Sequence, residues 1–311
     1  MKIAFRIDVS NDIGTGHFSR MSVLAEVFTE LGCMCKFYKS EDEPVDYSGF
    51  DVIVLDTYMV DNAYIASLNA PGRTVVCYDD NALYTYDCDI ILNANLHADE
   101  LQFNYDGKTP LMLRGGKYAL LRREFRDSLH VSVRKNANRV FVCFGGADIR
   151  NTTPRVIKAL SWIEGIHITV VLGALTRCDE DVRALLCDNV SVYKAPESIS
   201  KLMVECDIAV TAAGSMVYEL ASLGIPTITI TQAENQLLIA DYMSRNGLMR
   251  CAGSWDNLDF TLLRNEVEML MRSFDRRTME SRSLVGIVDK NGAHNAAEEI
   301  LQSRQSNETR L

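Results

Sequence analysis

Short apolar runs alternate along the chain with segments whose apolar positions recur at helical spacing. That alternation is the signature of parallel strands joined by helices. A strand covered on both faces is apolar throughout, whereas a helix buries only one stripe. In the first half the pattern predicts strands over Lys2–Val9, Met34–Lys39, Asp51–Leu55, Thr74–Tyr78 and Ile90–Leu92. The clearest helix follows the first strand, with Met21, Leu24, Ala25, Phe28 and Leu31 on one face and Gly32 as its stop. The segment 122–139 is charged, irregular and poor in large apolar residues, and reads as a linker. A second series follows, with strands over Arg139–Phe144, His167–Leu172, Val190–Lys194, Ile208–Ala212 and Thr227–Ile230. From Phe260 to Ser303 the period is helical, and the polar end 305–311 reads as a disordered tail. Both halves open as strand, glycine pair, helix. The expected fold is therefore α/β, with two doubly wound Rossmann-like domains facing across a cleft. Their expected bounds are 1–130 and 131–303, with 304–311 as the tail.

A length of 311 residues suits two domains, and the 47% apolar content gives each a core. The longest apolar runs are strand-length, far short of the roughly 18 residues of a membrane span. Charge at Lys2, Arg6 and Asp8 interrupts what would have to be a signal-peptide core, so a cytoplasmic protein is expected. A net charge of −10 repels nucleic acid and anionic membranes, and neither is an expected partner. A phosphorylated small molecule remains compatible, since backbone amides bind phosphate locally. The nine cysteines follow no disulfide framework and are expected to be buried reduced thiols. Cys33 and Cys35 do not have zinc-knuckle spacing, and neither a metal nor another cofactor is expected. Nothing in the sequence sets the oligomeric state, and a monomer suffices.

The first candidate motif runs from Asp8 to Arg20, joining the first strand to the first helix. Gly14 and Gly16 permit a tight turn and close approach of a ligand. His17 falls in the first helical turn, where the positive end of the dipole favours a neutral ring able to accept a proton. Asp8, at the end of the strand, is placed to orient that ring. The alternative is a structural turn with a capping histidine. A dinucleotide fingerprint over Gly14-x-Gly16-x-x-Ser19, with Glu41 or Asp42 as the ribose acid, lacks its third glycine.

Tyr58 follows the third strand, and Tyr78, Asp79 and Asp80 end the fourth, where ligands meet open α/β sheets. The aspartate pair reads as sugar-hydroxyl contacts, a helix cap or, less readily, a metal site. Asn93, after the fifth strand, is a rim contact or a turn residue. In the second half, Gly145 and Gly146 would present amides to a phosphate. Asn151 precedes a helix expected to have Thr152 or Thr153 as cap and Pro154 at its first position. The strongest signal is the string Thr211 to Leu220. Gly214 and Ser215 open a helix after a strand and face an incoming diphosphate, and Glu219 lies one turn on, placed to accept ribose hydroxyls. Glu234, Asn235 and Gln236 follow the next strand.

The Gly214–Glu219 string with Gly224-Ile225-Pro226 resembles the nucleotide-binding half of GT-B glycosyltransferases, particularly those that make lipid II. A narrower likeness rests on ordered motifs over residues 1–240. They are Asp8–Arg20, Asp56-x-Tyr58, Tyr78-Asp79-Asp80, Cys88–Asn93, Gly116–Phe125, Gly145-Gly146-x-Asp148-x-x-Asn151 and Glu234-Asn235-Gln236. Together they resemble the UDP-2,4-diacetamido-2,4,6-trideoxy-β-L-altropyranose hydrolases of pseudaminic acid synthesis, relatives of the GT-B enzymes. The resemblance implies a metal-independent hydrolase that splits a UDP-sugar to free sugar and UDP, in surface polysaccharide synthesis. His17 would activate water at the anomeric carbon, with Tyr58 and Asn235 assisting. Two other readings use the same residues: a GT-B glycosyltransferase with a UDP-sugar donor, and a non-catalytic subunit that binds sugar nucleotides.

Overall fold

The computed structural model describes residues 1–8 and 16–308. The chain runs β1 (Lys2–Ile7), α1 (Gly16–Glu30), β2 (Met34–Lys39), β3 (Val52–Asp56), α2 (Asn62–Ser67), β4 (Thr74–Tyr78), β5 (Thr85–Tyr86), β6 (Ile90–Asn93), β7 (Asn104–Tyr105) and β8 (Leu111–Arg114). It continues through α3 (Arg123–Arg126), β9 (Arg139–Cys143), α4 (Thr152–Leu160), β10 (His167–Leu172), α5 (Asp179–Arg183), β11 (Val190–Lys194), α6 (Ile199–Val204), β12 (Ile208–Ala212), α7 (Met216–Leu223), β13 (Thr227–Thr231), α8 (Leu237–Arg245) and β14 (Arg250–Ser254). Three helices close it: α9 (Phe260–Arg272), α10 (Phe274–Ser283) and α11 (Gly292–Glu308).

Two compact units result, one of Met1–Arg122 with Val288–Leu311, the other of Arg123–Ile287. The first holds a parallel six-stranded sheet in the order β2-β1-β3-β4-β6-β8. The second holds a parallel six-stranded sheet in the order β11-β10-β9-β12-β13-β14. In each sheet the chain reverses its direction of winding once, between β1 and β3 and between β9 and β12. Open α/β sheets bind ligands just beyond the carboxyl ends of the strands at such a reversal. Topology alone therefore singles out Asp8 and Asp56 in one unit, and Gly145–Gly146 and Gly214–Ser215 in the other.

Alternate side chains of each central strand enter opposite layers. In the first unit Ile3, Phe5 and Ile7 meet Met21, Leu24 and Phe28 of α1, whereas Ala4, Ile53 and Leu55 pack with Ile65 and Leu68 on the other face. In the second, Val140, Val142, Ile208 and Val210 pack with Val156 and Ile157 of α4 and with Leu263, Val267 and Leu270 of α9.

Five expectations are corrected. The second domain does not extend to Ser303, because α11 joins the core of the first unit through the helical stripe Ala293, Ala296, Ala297 and Ile300. The C-terminal end is helical through Glu308 rather than a tail from 304, and residues 309–311 lie outside the described residues. The linker contains α3, and the division falls at Arg122/Arg123. Leu31 follows the end of α1 and is 40% exposed, while Val23 and Val27 complete the buried face. The cysteines are thiols outside any disulfide, but they are not all buried: Cys187 is exposed and Cys35 and Cys251 are half-buried.

Candidate active site

At the reversal in the first unit the strand ends deliver a polar cluster. His17 sits one residue inside α1, and its ring is buried at 4% exposure. Its Nδ1 lies 2.6 Å from Asp56 Oδ1 at the end of β3. Asp56 is fully buried. Burial alone would raise its pKa, but the charges of Arg20 and His17 reverse this and hold the carboxyl at about 2. An ionised carboxylate only accepts, so Nδ1 carries the proton and the lone pair of a neutral ring is on Nε2.

Arg20, three residues after His17 on the same helical face, grips Asp56 through both Nε (2.6 Å to Oδ2) and NH2. Its NH1 donates to Asp80 Oδ2 at 2.6 Å, and its guanidinium lies 4.1 Å above the Tyr78 ring. Tyr58 donates its hydroxyl to the same Asp80 oxygen at 2.9 Å and sets its ring edge-on to His17, centroids 4.8 Å apart. Burial and then the Asp80 charge push the Tyr58 phenol well above its usual pKa, so it stays a donor. Asn95 donates to Asp80 Oδ1 at 2.6 Å and to Asn93 Oδ1 at 2.9 Å. Asn93 is fully buried, and its Nδ2 has no hydrogen-bond partner among the described residues.

The structure corrects the expected role of Asp8. Its carboxylate accepts from Arg6 NH1 (3.0 Å), Ser40 Oγ (2.7 Å), Thr57 Oγ1 (2.6 Å) and Tyr58 N (2.9 Å), and the partner of the His17 ring is Asp56. Burial opposes ionisation of Asp8, but these donors outweigh it and lower its pKa. Asp8 thus fixes the backbone that carries Tyr58. Asp79 is also reassigned. It builds the turn after β4 by accepting from the amides of Asn81, Ala82 and Leu83 (2.6, 3.1 and 3.1 Å) and from the Tyr86 hydroxyl. Gly16 is the exposed first residue of α1, and Gly14 lies outside the described residues.

Sequence reasoning weighed Asp80 together with Asp79 but gave no site role to Asp56 or Arg20. The i, i+3 spacing of His17 and Arg20 was the available signal for one of them.

In the second unit, Gly145 follows β9 with φ +78°, and two non-glycine residues of the same loop, Asp148 and Asn151, also adopt left-handed conformations. So many rare conformations in one short loop mark a backbone held in a set shape. Asp148 does the holding, accepting from the amides of Thr152 and Thr153 at 2.9 Å each. It supplies the cap that was assigned to Thr152 or Thr153, and Pro154 falls third in α4 rather than first. Asn151 turns its side chain to Asp181 Oδ2, 3.1 Å away. Gly146 is pressed against Gly173, where any Cβ would lie 2.3 Å from the Gly146 carbonyl oxygen.

Beyond β12, Gly214 and the exposed Ser215 precede α7, and Glu219 is buried in that helix's first turn. A short 3-10 turn after β13 carries the exposed Glu234 and Asn235. Gln236 accepts from Gln232 N at 2.8 Å, and its Nε2 lies 3.8 Å from where a Gly214 side chain would begin. The Gly145, Gly214 and Gln236 segments thus gather at the carboxyl edge of β9, β12 and β13. The His17 cluster belongs to the first unit.

Two Rossmann-like domains of this topology are the GT-B fold. The crystal structure of Acinetobacter baumannii MurG matches 97% of this chain and 100% of its own, with a TM-score of 0.66 at 14% identity. In sequence, the chain is a relative of the UDP-2,4-diacetamido-2,4,6-trideoxy-β-L-altropyranose hydrolase of Campylobacter jejuni, 27% identical over 79% of this chain and 97% of the relative. This bears out the likeness carried by the ordered motifs. An uncharacterized protein of Methanocaldococcus jannaschii is 27% identical over 76% of this chain, which spans 57% of that relative's length. A family profile described as a protein of unknown function (DUF354) matches residues 148–290.

Proposed function

We propose that this chain hydrolyses a UDP-linked diacetamido-trideoxyhexose, with His17 as general base. The observation that carries the reading is the His17–Asp56 contact at 2.6 Å, with Arg20 fastened to the same carboxylate. It leaves Nε2 as the basic atom of a ring held in one tautomer. In the proposed reaction Nε2 removes a proton as a water oxygen attacks the anomeric carbon. The bond from that carbon to the phosphate oxygen breaks, and its electron pair leaves with UDP. Amides at Gly145, Gly146, Gly214 and Ser215 meet the charge on the departing diphosphate. Glu219 takes the ribose hydroxyls, and Tyr58 and Asn235 contact the sugar and diphosphate. The relative's name supports both the sugar and the reaction, and Asp56 does for His17 what the orienting acid of a catalytic triad does.

Because amides and the helix end meet the phosphate charge, the reading requires no divalent cation. UDP release from the acceptor-free UDP-sugar is expected to persist in EDTA. The likeness to MurG favours a second reading, transfer to a hydroxyl acceptor. Under that reading UDP release stays negligible until an acceptor is added, which separates the two.

A further inference from the structure

The His17 cluster contains more charge than a base and its orienting acid require. Two buried carboxylates, Asp56 and Asp80, share one guanidinium, that of Arg20. Arg20 NH2 also comes within 3.3 Å of His17 Nδ1. Both atoms are donors when Nδ1 carries the proton, so that contact is a like-charge approach whenever the ring is protonated. We propose that Arg20 is a positioning residue that sets the basicity of His17 by cancelling one of the two carboxylates. The cluster then holds one net negative charge while the ring is neutral, and becomes neutral when Nε2 takes a proton. This rests on the reading of His17 as the base.

The other charged groups nearby leave this balance in place. Asp8, at the end of β1, is paired with Arg6 at 3.0 Å. Asp79, after β4, is enclosed by the amides of its own turn. Tyr58 and Tyr78 also face the cluster, one edge-on to His17 and the other under the Arg20 guanidinium. The two carboxylates hold Arg20 firmly charged in spite of its burial. Removing Arg20 would leave two uncompensated carboxylates in the cluster and favour the protonated ring. Removing the charge of Asp80 would leave the Arg20–Asp56 pair in balance and make the ring a poorer base.

The test is the NMR titration of the His17 imidazole in the full-length chain, assigned among the five histidines by its loss in His17→Gln. Arg20→Gln is expected to raise the midpoint by about one unit or more, and Asp80→Asn to lower it by about as much, the range set by a close charge partner. Arg20→Lys, which keeps the charge, is expected to restore the wild-type midpoint. The opposite signs separate charge tuning from a merely structural role, which would move both variants alike or neither. An unchanged or lowered midpoint in Arg20→Gln overturns the proposal. If that variant does not fold, the signs in Asp80→Asn and Arg20→Lys decide. No substrate is needed: shifted midpoints in a protein that releases no UDP leave the tuning intact and remove the hydrolase. UDP release with unmoved midpoints does the reverse.

Discussion

The chemistry proposed for this chain narrows to one nitrogen, His17 Nε2. His17→Ala is expected to lower the rate of UDP release by about 10² to 10⁴, the usual contribution of a general base, while UDP affinity is kept. Equal activity in that variant would remove His17 from the reaction. Asp56 gives a second prediction, in stability. Its folded pKa of about 2 lies below its usual 3.8, so its contribution is complete above the unfolded value and lost as pH falls through about 2. The shift amounts to about 2 kcal/mol. Urea unfolding of the wild type should therefore weaken between about pH 5 and pH 2 by that much more than unfolding of Asp56→Asn. The sequence placed His17 in the first turn of a helix, and the structure puts it there. Its partner was not legible. Asp8 and Asp56 end neighbouring parallel strands, with Ile7 paired to Asp56, and only side-chain direction decides which carboxylate reaches the ring.

The elements themselves were legible wherever burial is complete. β4, β10 and β12 match their sequence-based bounds because each is a run with clear turn signals at both ends, and the more exposed edge strands β2 and β11 match theirs as well. β8 and β14 escaped because their apolar runs are short, Leu111–Leu113 and Cys251–Ala252, each bordered by an arginine. β14 also contains Gly253 within a register irregularity. The first residue of α11 offers a test at this scale. A Cβ on Gly292 would lie 2.4 Å from the backbone nitrogen and oxygen of Ala119, whereas Gly32, with φ +81°, has open space around it. Gly32→Ala is expected to lose about 1 kcal/mol from left-handed strain alone. Gly292→Ala should lose about 2 kcal/mol or more, since backbone must move and α11 must lift from the first unit. Denaturant melts of the two variants compare them directly, and equal losses would mean that α11 docks more loosely than described.

For the molecule as a whole, the double repeat of strand, glycine pair and helix was enough to give two doubly wound domains. The ownership of α11 was not, because its stripe of alanines fits any apolar surface, and the core of the first unit, not the order of the chain, claims it. The same limit applies to function. The proposed base and the proposed phosphate contacts would serve hydrolysis and transfer alike, and the nucleophile alone distinguishes the two. Running the reaction in H₂¹⁸O with the UDP-diacetamido sugar and no acceptor identifies that nucleophile and the bond it breaks. The expected result is one ¹⁸O at the anomeric carbon of the free sugar and none in UDP, with the label appearing only slowly in His17→Ala. Label in the UDP phosphate, or no turnover without an acceptor, would contradict water attack on the sugar.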